Sequence, residues 1–293
     1  MGLCPFCRSG ASQRFQLAHT IVWKCAVSDC GLQFADPQLG ETDLVRAYKE
    51  RYYPSNGNGN GNAHVYENTP PEILRQTFEE VEAELGPLKG KSLLDFGCGV
   101  GGLCRVAGEY GIQATGIEPD ANAREEVGKS CSLRAYASLG SLKEAQPHAK
   151  FDIVTMWDVI EHLREPWKDL EDLSSSLQPD GWLLLSTPNA ACLRARVEGE
   201  RWENVVNPTH FYYFTRRSLE VVLRRAGFSE IAELQFPIRY PGHARARRLI
   251  HRALVSCRLQ GQLVFVARQK RLESPNCARG SGETRRTGAH AAD

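Results

Sequence analysis

One ten-residue run governs what this chain can fold into: Leu93-Leu94-Asp95-Phe96-Gly97-Cys98-Gly99-Val100-Gly101-Gly102. A short apolar stretch of the kind that makes a buried strand runs into a glycine turn, and a helix-spaced segment begins at Leu103. Glycine supplies the positive φ angles such a turn needs and lets backbone amides approach a ligand closely. Glu118 follows about 20 residues on, at the tip of the next predicted strand, where a carboxylate can accept both hydroxyls of a ribose. Gly97, Gly99 and Gly102 also satisfy a dinucleotide-binding spacing. Asp95 argues against a dinucleotide, because it sets a carboxylate where a pyrophosphate would lie and like charges disfavour that contact. A cationic sulfonium ligand with a free ammonium group would instead be attracted.

The surrounding pattern predicts an α/β chain with a parallel sheet. Strands are expected at Ser92–Phe96, Ala114–Glu118, Leu133–Ala135, Phe151–Trp157, Trp182–Thr187, Ile231–Phe236 and Gln262–Ala267. Helices are expected at Pro71–Leu85, Leu103–Tyr110, Asn122–Cys131, Pro166–Leu177 and Arg217–Ala226. The division reads as a strand-poor cysteine module over 1–40, a helical and loop connector over 41–90, the ligand-binding α/β domain over 91–269, and a polar, disordered tail over 270–293. Asn56–Asn62 alternates Asn and Gly and is expected to be a flexible loop. Lys plus Arg total 36 against 35 for Asp plus Glu, which disfavours a broad nucleic-acid binder. No apolar run approaches the ~18 residues of a membrane span. The opening MGLCPFCRSG lacks the layout of a signal peptide, so a cytoplasmic location is expected.

The Leu93–Gly102 run resembles motif I of class I S-adenosylmethionine-dependent methyltransferases, and Glu118, within Gly116-Ile117-Glu118-Pro119-Asp120, matches their ribose-binding acid. Phe151–Leu163 resembles the fourth strand of that family with its following loop, and Leu177–Asn189 resembles the turn into the fifth strand. His210–Thr215, then Gly227-Phe228, resembles a later segment. The resemblance implies a seven-stranded, doubly wound, mostly parallel sheet and S-adenosylmethionine bound by Asp95, Gly97, Gly99, Gly101 and Glu118, with Asp158 against the cofactor or the acceptor. Methyl transfer to oxygen needs a base or a metal, and His162 and His210 are the candidate bases. Asp158-Val159-Ile160-Glu161-His162 also resembles the segment that holds a divalent metal in ubiquinone-biosynthesis O-methyltransferases, here with Asp in place of the first Glu. Three readings of this segment stay open: base, metal ligands, or a helix cap that orients the loop. Trp202, Tyr212 and Tyr213 form either a stacking wall for the acceptor or core packing.

Four of the ten cysteines, Cys4, Cys7, Cys25 and Cys30, crowd the first thirty residues in two close pairs. That spacing is expected of a closed, structural zinc site, and a metal can hold a module too small for its own core. With the following segment through Tyr53 it resembles the zinc-ribbon extension of certain bacterial sugar and natural-product methyltransferases, which implies that Tyr48, Tyr52 and Tyr53 contact the acceptor or pack the small domain on the large one. Arg239, Arg245, Arg247, Arg248, Arg252 and Arg258 predict an amphipathic helix with a basic face, read as a solvated face, an anion-binding face for the acceptor, or a peripheral membrane contact. The expected activity is methylation, foremost on oxygen, of a sugar, nucleotide sugar or natural-product intermediate. An RNA-directed methyltransferase or nucleic-acid-binding protein using the ribbon and the arginine helix is the alternative.

Overall fold

A computed structural model of the chain describes residues 2–52, 69–131, 133–235 and 252–269. The Asn-Gly loop at Asn56–Asn62, Tyr53, the side chain of Tyr52, Arg239 to Arg248 and the tail at 270–293 lie outside the described residues. Arg252 stands in a helical stretch at 252–256, with Arg258 just beyond it.

The chain opens with β1 (Gly2–Leu3), β2 (Gly10–Gln16), β3 (Ile21–Cys25) and β4 (Gln33–Asp36), then α1 (Glu41–Tyr52) and α2 (Pro71–Leu85). A regular alternation follows: β5 (Ser92–Phe96), α3 (Gly102–Glu109), β6 (Gln113–Ile117), α4 (Ala121–Cys131), β7 (Ala135–Tyr136), α5 (Leu139–Ala145), β8 (Phe151–Trp157) and α6 (Pro166–Ser174). Next come β9 (Leu177–Pro188), α7 (Leu193–Glu198), α8 (Glu203–Val206), β10 (Tyr212–Tyr213), α9 (Arg216–Arg225), β11 (Glu230–Glu233) and β12 (Gln262–Arg268).

Seven strands form the main sheet in the order β11-β12-β9-β8-β5-β6-β7. β12 runs antiparallel to both its neighbours, while β9, β8, β5, β6 and β7 pair in parallel. Chain order reverses between β5 and β8, and the crevice beyond the carboxyl ends of strands at such a point is where open α/β sheets bind ligands. The interior strands are apolar on both faces, as parallel sheets covered by helices require. Leu93, Ile153, Leu184, Val264 and Val266 pack with Leu74, Phe78 and Val81 of α2 and with α3. Leu94, Val154, Met156, Leu185 and Phe265 face α6 and α9. The stripe Ile73, Leu74, Thr77, Phe78 and Val81 is the buried face of α2, which begins at Pro71 and stops where Gly86 takes a φ of 82°. Among the described residues, no helix is long and apolar enough to cross a membrane.

The first 40 residues are not strand-poor. β1 to β4 form an antiparallel meander, and β10 from the later chain completes it in the order β1-β2-β3-β4-β10. β2 buries only Ala11, so its strand rests on backbone pairing and carries no alternation to read. α6 ends at Ser174, shorter than expected, and β9 begins already at Leu177.

Candidate active site

The glycine turn takes the conformation its composition demands. Gly97, Gly99 and Gly101 have φ of 85°, 52° and 85°. A Cβ on Gly97 would lie 2.5 Å from Cγ2 of Val159, so the turn after β5 is interlocked with the segment after β8. Gly97 N and Cys98 N both donate to Ile117 O, at 2.8 and 3.0 Å, which fastens the turn to the end of β6. Glu118 is 6% exposed; its two carboxylate oxygens accept from Gly99 N at 3.0 Å and Asp120 N at 2.9 Å. Those amides fix its orientation at the tip of β6.

Asp95 is buried at the end of β5, where Oδ1 accepts from Thr155 Oγ1 at 2.6 Å and Oδ2 from Cys104 Sγ at 3.4 Å. Burial pushes its pKa up to about 6, more than those two hydrogen bonds pull it down. The group that would relieve this is a cation. A cavity of about 1320 Å³ opens over the switch point, and Asp95, Gly97, Gly102 and Glu118 stand on its wall. Gly99 and Gly101 are not on that wall; their part is to shape the turn.

The segment after β8 lines the same cavity. Asp158 holds the left-handed region at φ 55°, its amide donates to Ser186 O and Oγ, and its Oδ1 accepts from Ser186 Oγ at 3.0 Å and from the Gln262 amide. Glu161 is 2% exposed and accepts from Thr187 Oγ1 at 2.9 Å. Burial, then the charge of Asp158, pushes the pKa of its carboxyl well above the ordinary value. His162 Nδ1 lies 2.9 Å from Thr209 O. A carbonyl only accepts, so Nδ1 carries the hydrogen and Nε2 is the basic nitrogen of the neutral ring. His210, 6% exposed, meets His162 edge-on with ring centroids 4.6 Å apart, and Tyr48 of α1 lies 5.7 Å from His162 on its other side. Tyr48, Asp158, Glu161, His162 and His210 all stand on the cavity wall.

Glu161, His162 and His210 bring one ligand-type atom each within 4.8 Å of the others. The grouping therefore differs from the expected Asp158, Glu161 and His162: Asp158 is turned toward Ser186 and Gln262, and His210 takes its place. The expected aromatic wall also divides. Trp202 reaches the cavity, whereas Tyr212 and Tyr213 are core residues whose hydroxyls donate to Arg164 O at 2.8 Å and Val205 O at 3.4 Å. Gln262, Thr187 and Ser186 position the acids and carried no signal in the sequence beyond their place in strands.

In the small sheet, Cys4 Sγ lies 3.8 Å from Cys30 Sγ and Cys7 Sγ lies 3.4 Å from Cys25 Sγ, all four sulfurs falling within 4.8 Å of one another. A tetrahedron with Zn–S bonds of about 2.3 Å has sulfurs about 3.8 Å apart, so the residues fit a zinc ion.

A family model described as a methyltransferase domain matches residues 69–233, which include the glycine turn, Glu118 and the histidine pair. The chain belongs to this family. Among curated proteins, this methyltransferase is 30% identical over 155 residues to the mitochondrial ubiquinone biosynthesis O-methyltransferase of Schizosaccharomyces pombe, covering 51% of this chain and 55% of that protein. It is 33% identical over 116 residues to the ubiquinone biosynthesis O-methyltransferase of Rhodopseudomonas palustris strain TIE-1, covering 38% of this chain and 46% of that protein. The methyltransferase thus spans about half the length of the curated relatives it matches. Among solved structures it resembles a SAM-dependent methyltransferase from Archaeoglobus fulgidus, with a TM-score of 0.52 at 16% identity over 71% of this chain and 100% of that one. It also resembles the 1,6-didemethyltoxoflavin-N1-methyltransferase of Burkholderia thailandensis, with a TM-score of 0.51 at 15% identity over 88% of this chain and 99% of that one. At those identities the likeness shows the fold, that of the class I S-adenosylmethionine-dependent methyltransferases.

Proposed function

We propose that this methyltransferase moves the methyl group of S-adenosylmethionine to a hydroxyl oxygen of a small metabolite, with His162 as the base. The observation that carries the reading is the His162–His210–Glu161 group, which lines the same cavity as Asp95 and Glu118. S-adenosylmethionine, when bound, supplies an electrophilic methyl on a sulfonium sulfur. Asp95 offsets the positive charge of that ligand, Glu118 accepts hydrogen bonds from its ribose hydroxyls, and Gly97 and Gly102 on the cavity wall let it lie close to the backbone. His162 Nε2 accepts the acceptor's hydroxyl proton as the O–C bond forms and the C–S bond breaks, leaving a neutral thioether on the product side. His210 positions the first ring, and Trp202 and Tyr48 close the acceptor's part of the cavity. In-line positioning supplies the rest of the rate. The same three side chains lie close enough together to hold a divalent cation, and the reaction steps above do not require one.

The names of the curated relatives support oxygen as the methylated atom, and a first screen sets phenols beside sugars and nucleotide sugars. The spacing of the four sulfurs supports a structural zinc held by Cys4, Cys7, Cys25 and Cys30, a closed site with no position for substrate. The test is calorimetric binding of S-adenosylhomocysteine to wild type and Glu118→Ala, followed by a methyl-transfer screen over phenols, sugars and nucleotide sugars. Micromolar binding lost in the variant, with an oxygen-methylated product, is the expected result. A folded protein that binds no S-adenosylhomocysteine overturns the reading.

A further inference from the structure

The cysteine module is not an appendage beside the catalytic domain. Its last strand, β4, pairs with β10 of the later chain, with Phe34 opposite Tyr212 and Gln33 opposite Tyr213. The next backbone bond along the same ladder runs from Ala35 N to Phe211 O at 2.9 Å. Phe211 directly follows His210, and Phe211 N donates to Glu161 O at 2.8 Å. The short strand that presents His210 is therefore held on one side by the cysteine module and on the other by the turn that presents Glu161 and His162. That turn is tied in once more, because His162 Nδ1 binds Thr209 O, one residue ahead of His210.

The cysteines close the far end of the same ladder. Cys25 N donates to Leu32 O at 2.9 Å and Cys30 N to Val27 O at 3.1 Å, so the Cys25–Cys30 knuckle sets the register in which β4 leaves β3. From Cys30 to Gln33 is three residues. Phe6, between Cys4 and Cys7, packs on Trp167 of α6 with centroids 5.5 Å apart, and Arg225 of α9 stacks over Phe6 at 5.1 Å. Cys4, Phe6, Cys25, Cys30, Leu32 and Phe34 belong to one continuous core with Trp167, Tyr212 and Leu219. The glycine turn is fastened chiefly to the end of β6, through Ile117 O, and meets the histidine-bearing segment at Val159.

We infer that the four-cysteine cluster is a positioning device for the acceptor-side histidines: its closed form holds β4, β4 holds β10, and β10 sets His210 against His162. Loss of the cluster's metal withdraws the histidine pair from the acceptor and leaves S-adenosylhomocysteine bound as before. The inference rests on the zinc reading for its metal and on the ladder alone for its coupling. Ala35 is the point at which the two separate, since its N–H points to Phe211 and it ligates nothing.

The experiment uses the full chain, labelled at histidine, with ring resonances of His162 and His210 assigned by single substitutions. Zinc content and S-adenosylhomocysteine affinity are measured on the same samples. In Ala35→Pro, which removes the donor to Phe211 O, the expected result is retained zinc, affinity within about twofold of wild type, and both ring signals shifted or broadened. Cys7→Ala, at the least buried of the four thiols, should lose the zinc and move the same two signals with the same retained affinity. Unmoved ring signals in Ala35→Pro overturn the coupling whatever the metal does. A wild-type protein that holds no zinc overturns the metal reading, while moved signals in Ala35→Pro still uphold the ladder. Should Cys7→Ala fail to fold, seen as lost S-adenosylhomocysteine binding, the Ala35→Pro signals decide.

Discussion

The two ends of the cavity are built on different plans. At the donor end, Asp95, the glycine turn and Glu118 come from one strand–turn–helix–strand passage, and backbone conformation does most of the shaping. At the acceptor end, Tyr48, Glu161, His162, Trp202 and His210 arrive from α1, the segment after β8, and the long connection between β9 and β10. The first end is a local object that the main sheet supports. The second is an assembly of distant segments, clamped between β8 and the small sheet. The contrast teaches that a perturbation on one side need not reach the other, and substitutions can test that separation.

The largest effect is expected at the acceptor end. His162→Ala removes the basic nitrogen, and general-base loss costs about 10²–10⁴-fold in turnover. Single-turnover methyl transfer to an identified acceptor measures it. S-adenosylhomocysteine affinity should stay within about twofold, because the groups that hold the donor are fixed by the β5–β6 passage and not by the His162 ring. A parallel loss of affinity would show the two ends to be one unit.

At the donor end, Gly97→Ala should reverse that pattern. Its φ of 85° disfavours any Cβ by about 1–2 kcal/mol, and the 2.5 Å approach to Val159 adds an overpacking cost of about 1–3 kcal/mol. Thermal unfolding should register the loss and calorimetry the failure to bind S-adenosylhomocysteine. Val159→Ala on the same background should restore part of the stability but not the φ penalty. No recovery would mean that the interlock is not the source of the cost.

How much of this was legible before folding follows from the same contrast. Asp95, Gly97 and Glu118 could be read because their relation is sequential: a strand, a turn, and an acid one strand later. His162 could be found on its loop, but its pairing with His210 depends on a β10 of only two residues, too short to carry a pattern. The small sheet was hidden for a related reason, since β2 carries polar residues on a ladder that backbone bonds alone sustain. Asp158 stands on the cavity wall but apart from the group that Glu161 and His162 form. It sits in sequence beside Glu161 and His162, yet its left-handed φ turns its carboxylate to Ser186 and Gln262.

Asp95→Asn sharpens the donor end through pH. The carboxyl has a pKa of 3.8 as the ordinary value and about 6 when buried here, so the folded state binds its proton more tightly than the unfolded one. Stability of the unliganded protein therefore falls as pH rises between about 4 and 6 and stays lower above it. At about 1.4 kcal/mol per pKa unit the loss approaches 3 kcal/mol at neutral pH. The amide variant should be more stable than wild type at pH 7.5, by less than that amount because an amide matches the Thr155 and Cys104 donors less well. The advantage should vanish near pH 4. Weaker S-adenosylhomocysteine binding must accompany it, since the ligand's ammonium is what the carboxylate awaits. A variant that gains stability without losing affinity would remove Asp95 from the ligand site.

The smallest expected effect lies behind the histidines. Thr187→Val keeps the shape of a fully buried side chain and removes its one hydrogen bond to Glu161 Oε2. Leaving a buried acceptor unmatched costs about 1–3 kcal/mol of stability. The lost bond favoured the ionised carboxyl, so its removal drives the Glu161 pKa further up and any alkaline limb that Glu161 contributes to the turnover profile should move to higher pH. S-adenosylhomocysteine affinity should not change. A shifted pH profile at constant affinity would tie Glu161 to proton handling at the acceptor end; an unshifted profile would reduce it to a buried support for the turn that carries His162.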